Sequence, residues 1–147
     1  MKPGLNVGQS AEVEIEITKD MLATLAGETI HELYATSSLV QHMELAGRKL
    51  IVPFLEDHEE GMGSHVEVSH LALTLPGMRV KVKATVTEIR DKKVVCDVEA
   101  YNTRGKIARG TVTQSIVEKA WLDRKMKELS IIINLSDQQF NASPNTK

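Results

Sequence analysis

At 147 residues, with a formal net charge of -2, charges of both signs interspersed and aromatics at only 3%, the chain has neither the basic footprint nor the stacking platforms of a nucleic-acid binder. That length builds one domain with a real core rather than two. The opening "MKPGLNVGQS" has no apolar h-region, and no later run reaches the ~18 apolar residues a span requires, so the expectation is a soluble, cytoplasmic protein with neither nucleic acid nor membrane as partner.

In chain order, "AEVEIEIT" alternates without a break, Val13, Ile15 and Ile17 against Glu12, Glu14 and Glu16, the pattern of a half-buried strand. "KDMLATLAG" reads as a short helix ending at Gly27, with "ETIHELYATSS" leading into the next element. Leu39, Val40, Met43, Ala46, Gly47, Leu50, Ile51 and Phe54 then recur at three- and four-residue steps, which predicts one long helix with a broad apolar stripe. Ser38 and Gln41, at capping-box spacing, mark its start, and Pro53 limits its end.

"EDHEEGMG" reads as a polar loop, after which the period changes to alternation. "SHVEVSHLALTL" is a strand ending at the turn Pro76-Gly77, and "MRVKVKATVTEIR", "VVCDVEAY" and "KIARGTVTQSIVE" follow, joined by the short turns "DKK" and "NTRG" that require antiparallel neighbours. The one cysteine, Cys96, has no partner for an internal disulfide and shares strand parity with Val94 and Val98, which makes it a core residue rather than a nucleophile. "KAWLDRKMKELS" predicts a last helix, so the domain is expected over residues 1–130 and a loosely ordered tail over 131–147. The sum is an α+β fold: a strongly curved antiparallel sheet whose apolar face wraps the long central helix. An exposed sheet edge and so apolar a helix call for a homodimer that joins edges.

Three side chains stand out within that frame. Glu44 lies on the shoulder of the helical stripe, where a carboxylate is either a solvated flank residue or aimed at a target. His70 shares strand parity with Val66, Val68 and Ala72, facing the helix; it is either a hydrogen-bonded core residue or a proton carrier. Thr36 precedes the helix and either leads into it, as Ser37 and Ser38 also can, or sits where unpaired helix amides favour a developing oxyanion. A hydroxyl, a carboxylate and an imidazole around such a site are what acyl transfer asks for. Metal-ligand spacing is absent: "DHEEGMG" holds His58 near carboxylates without an HExxH pattern.

The span "YATSSLVQHMELAGRKLIVPFLEDHEEGMGSHVEVSHLALTLPGMRVKVKATV" resembles the hotdog-fold thioesterases, and within them the fluoroacetyl-CoA thioesterase-like family, over a stretch from "MKPGLNVGQ" to about "SIVEK". The resemblance implies a catalytic set of Thr36, Glu44 and His70, with Gly63 beside the thioester and Ser37 and Gln114 as further substrate contacts. It implies an acyl-CoA substrate bound at a dimer interface and hydrolysed to free acid and CoA, by attack of the hydroxyl, the carboxylate or water. No cofactor is implied, since thioester hydrolysis needs only water and the bound substrate. Two departures matter. "AGETIHELYATSS" is shorter than the lid of the fluoroacetyl-specific enzyme and lacks its phenylalanine, which argues against fluoroacetyl-CoA itself, and Gln114 in "GTVTQ" replaces an expected arginine. The same residues also suit a non-catalytic acyl-CoA-binding module or an enoyl-thioester hydratase.

Overall fold

The computed structural model describes residues 1–142. Its elements are β1 (Ser10–Glu16), β2 (Leu22–Leu25), β3 (Glu28–Tyr34), α1 (Thr36–Ile51), β4 (Glu59–His70), β5 (Arg79–Arg90), β6 (Lys93–Asn102), β7 (Gly105–Glu118) and α2 (Lys119–Ala142). Five strands form one antiparallel sheet in the order β1-β5-β6-β7-β4, and β2 and β3 pair separately as a hairpin. The tight β5–β6 turn is made possible by Asp91, held at a φ of 54°; aspartate is among the residues that tolerate this left-handed region.

Alternation decides which face is inside. Val80, Val82, Ala84 and Val86 of β5 and Val94, Cys96, Val98 and Ala100 of β6 are all buried, and they pack on Leu39, Met43, Ala46, Leu50 and Ile51 of α1. Each such aliphatic side chain contributes about 1.5–3 kcal/mol on leaving water, so the helix is held by its stripe. The sheet-around-helix arrangement expected of the chain is therefore present, with Cys96 in its core as read. At Gly47 the helix comes so close to the sheet that an added Cβ would lie 2.9 Å from Val112 Cγ2. Among the described residues no helix is long and apolar enough to cross a membrane.

Several elements differ from the sequence expectation. Residues 22–34 form a hairpin, not a helix with a lead-in: Ala26 and Gly27 both have positive φ, 50° and 81°, as a two-residue hairpin turn demands. A backbone bond from Ala35 N to Met21 O closes the base of the hairpin, and one from Tyr34 N to Thr74 O ties it to the body, a tertiary contact that overrides local propensity. Helix α1 begins at Thr36, because the Ala35 carbonyl already accepts the Leu39 N–H; Ser38 and Gln41 lie inside the helix, and no side chain caps it. Strand β4 reaches back to Glu59, since β7 is long enough to pair with it as far as Glu118, and it ends at His70 rather than continuing to Leu75. Helix α2 runs on to Ala142, past residue 130. Nothing in "SIIINLSDQQFNA" breaks a helix, the next proline being Pro144. The rest of the expected tail, 143–147, lies outside the described residues.

One irregularity positions the site. The β4–β7 register runs Gly63↔Gln114 and then His65↔Thr113, so Ser64 has no partner and the strand bulges there. A bulge shifts the alternation by one residue. Gly63 thereby joins Val66, Val68 and His70 on the side facing α1, although simple alternation would group it with His65 and Glu67.

Candidate active site

The amino end of α1 carries Thr36 and Ser37, and the last residue of β4 is His70. The curved sheet brings that strand end against the helix end, so that Thr36 Oγ1 and His70 Nδ1 are 2.9 Å apart. With no side chain capping the helix, its first amides and their partial positive charge remain available to an anion. Burial lowers the His70 pKa below 6.5, so at neutral pH the ring is uncharged and able to take a proton. Its other nitrogen, Nε2, is buried without a hydrogen-bond partner. Above these groups lies a cleft of about 470 Å³, walled by the hairpin through Leu25, Ile30 and Leu33 and by Leu71 and Leu73 after β4. Its walls are mainly apolar and its polar groups converge at the helix end, the composition of a small-molecule site.

A second cleft, of about 430 Å³, opens on the flank of α1 and is lined by Glu44, Gly63 and Gln114 together with His42 and Arg48. The bulge turns Gly63 toward the helix so closely that a Cβ there would stand 2.5 Å from Glu44 Oε1. Gln114 is 3% exposed, held on the inner face of β7. The Arg48 guanidinium is engaged by Glu60 at 2.9 Å, and Glu44 makes no hydrogen bond or ion pair among the described residues. Its carboxylate is half-buried and faces open cleft.

Within one chain, then, the residues singled out from the sequence fall into two groups: Thr36, Ser37 and His70 at the helix end, and Glu44, Gly63 and Gln114 on its flank. Thr36 and Glu44 are separated by eight positions, roughly 12 Å along the axis at ~1.5 Å per residue, and they line different clefts. Two residues that sequence reasoning passed over lie between the groups. Tyr34, 1% exposed, hydrogen-bonds through its hydroxyl to Nδ1 of His42 at 2.6 Å, and its ring also meets His70 edge-on at 6.1 Å. The available signal was His42 next to Met43 on the apolar stripe, a position where a buried histidine needs a partner. Among the described residues, no group of His, Cys, Asp and Glu is arranged to hold a metal ion.

The family model described as fluoroacetyl-CoA-specific thioesterase matches residues 17–120. A fluoroacetyl-CoA thioesterase of Streptantibioticus cattleyicolor is 28% identical over 97 residues, 66% of this chain and 70% of that protein. Among solved structures, a hypothetical thioesterase-superfamily protein of Thermus thermophilus superposes with a TM-score of 0.86 at 41% identity, covering 90% of this chain and 98% of that one. The structure of the fluoroacetyl-CoA thioesterase itself superposes with a TM-score of 0.80 at 23% identity over 85% of this chain and 97% of that one, a likeness of fold. The matched span takes in both clefts, from the end of β1 through β7, and on that basis the chain belongs to the fluoroacetyl-CoA-specific thioesterase family.

Proposed function

We propose that this protein is an acyl-CoA thioesterase, hydrolysing a small acyl-CoA to free acid and CoA in a site that two subunits of a homodimer build together. The observation that carries the reading is the Thr36–His70 hydrogen bond at an uncapped helix end. A neutral imidazole accepting from the threonine hydroxyl is an activated acyl-transfer pair, and free helix amides beside it suit the oxyanion of a tetrahedral intermediate. Water, directly or by way of the Thr36 hydroxyl or the Glu44 carboxylate, gives its oxygen to the thioester carbon, the C–S bond breaks, and the proton that water gives up passes to the departing CoA thiolate, a transfer His70 is placed to manage. The carboxylate of the set, Glu44, stands in the other cleft and meets this pair only if a second subunit supplies it.

The sheet edge offers the means. Strand β4 is the last in the sheet, its outer side is unpaired among the described residues, and Met62 and Val66 are 39% and 37% exposed. Such an edge favours pairing with a second copy. An antiparallel, two-fold symmetric β4 contact centred on Glu67 pairs Val66 with the partner's Val68 and His65 with the partner's Ser69 and, Ser64 being the extra residue of the bulge, sets Gly63 opposite His70 of the partner subunit. Both residues face inward, so Glu44 beside Gly63 then approaches the Thr36–His70 pair across the interface. Ser37 and Gln114 border the two halves as substrate contacts.

Thiol release from a panel of short and branched acyl-CoAs tests the reading. We expect turnover on at least one member and a loss of about 10²-fold or more in Thr36→Ala, Glu44→Ala and His70→Ala variants. Undiminished turnover in those variants removes the residues from the mechanism. Tight binding without thiol release would make the protein a carrier, and hydroxyacyl-CoA among the products would make it a hydratase.

A further inference from the structure

The Tyr34–His42 contact has no role in the reading above, and its hydrogen-bond logic extends the Glu44 cleft. Tyr34 is 1% exposed, and its hydroxyl has one partner among the described residues, Nδ1 of His42 at 2.6 Å. Burial raises the phenol's pKa and lowers that of the imidazole, so both are uncharged at neutral pH. Only one arrangement then satisfies the pair. If Nδ1 carried the hydrogen, the buried phenol hydrogen would have no acceptor; if the phenol donates, both atoms are satisfied and the ring hydrogen sits on Nε2. His42 is 9% exposed, its Nε2 has no hydrogen-bond partner among the described residues, and what it borders is the cleft shared by Glu44, Gly63 and Gln114. An unpaired N–H is thus left at a cleft whose charged lining groups are the uncommitted carboxylate of Glu44 and the Arg48 guanidinium, which Glu60 engages.

We propose that His42 is a substrate-contacting residue whose Nε2–H donates to the thioester carbonyl oxygen in the Glu44 cleft, and that Tyr34 is the positioning residue that fixes its tautomer. The inference rests on the thioesterase reading. The thioester carbonyl oxygen accepts without bringing charge, as the amide oxygens of the CoA arm also do, but it alone gains negative charge as the tetrahedral centre forms, so a donor locked in place before the reaction strengthens its contact there. A histidine free to exchange tautomers would present an acceptor part of the time.

The test uses ¹⁵N-labelled full-length protein and two non-hydrolysable CoA derivatives: a ketone in which a methylene replaces the thioester sulfur, and a thioether that lacks the carbonyl. We expect His42 to show the Nε2–H tautomer, with its resonance moved by the ketone and not by the thioether. In Tyr34→Phe the ring should show mixed tautomers, with kcat lower by about tenfold and KM within about twofold; a purely structural role for Tyr34 would lower the unfolding temperature and leave the tautomer alone. His42→Leu should lose about 10²-fold in kcat, and His42→Gln, which keeps an N–H near that position, should recover most of it. If both derivatives bind, as other resonances would show, while His42 is Nδ1-protonated or unmoved by the ketone, the proposal is wrong and the thioesterase reading stands. If no acyl-CoA is hydrolysed and neither derivative binds, that reading falls and takes the proposal with it.

Discussion

Gly63 has no side chain because the Glu44 carboxylate occupies the space a Cβ would need. The atom in the way is the end of a flexible side chain rather than backbone, so Gly63→Ala should fold normally and push the carboxylate aside. We expect kcat/KM to fall about 10–100-fold, as for a catalytic group displaced by about an ångström, with an unfolding temperature near that of the wild type. An alanine variant of full activity would show that the glycine matters only for packing. A second consequence at this scale follows from His42 and His70, whose pKa values burial pushes below 6.5. Below pH 6.5 the unfolded chain binds protons at these rings and the folded chain does not, so stability is complete above that value and declines as the pH falls toward the lowered folded pKa values. Denaturant midpoints measured from pH 7.5 down to 5.5 should drop, and less steeply in His42→Gln; a flat profile would contradict the burial of both rings.

At the scale of elements, α1 lies close to the sheet because position 47 is glycine. Alanine there would add about 1 kcal/mol of helix propensity, but its Cβ would meet Val112 Cγ2 at 2.9 Å in a packed core. Overpacking costs about 1–3 kcal/mol, so we expect Gly47→Ala to destabilise on balance, read as a lower urea midpoint at an unchanged slope. A stabilised variant would mean that the helix can lift without penalty. The elements also show where local pattern is a sound guide. Strands β5 to β7 were legible because alternation and turn residues are both local properties. The hairpin of β2 and β3 was not: "LATLAG" suits a helix end as well as a strand and turn, and only its pairing with β3, which Tyr34 ties to Thr74, decides between them.

For the whole molecule, two clefts in one chain and the site proposed to be shared between two subunits make a quantitative prediction. Thr36→Ala and Glu44→Ala proteins, each inactive alone, should regain activity when unfolded together and refolded. Random pairing makes half the dimers mixed, each with one intact site of its two, so about one quarter of wild-type activity should return. Recovery of none, from mixtures shown to contain mixed dimers, would rule out a site built from both subunits. A monomer of full activity in sedimentation would do the same.

Read by itself, the chain determined its antiparallel strands, its apolar helix and the core position of Cys96, because face and period are properties of neighbouring residues. Tertiary structure alone decided how the residues singled out from the sequence are grouped. The unpaired Ser64 turns Gly63 toward Glu44, the curvature of the sheet carries His70 to Thr36 and away from Glu44, and the fold closes Tyr34 onto His42. Each of these depends on the register or packing between elements distant in sequence, which no local period encodes.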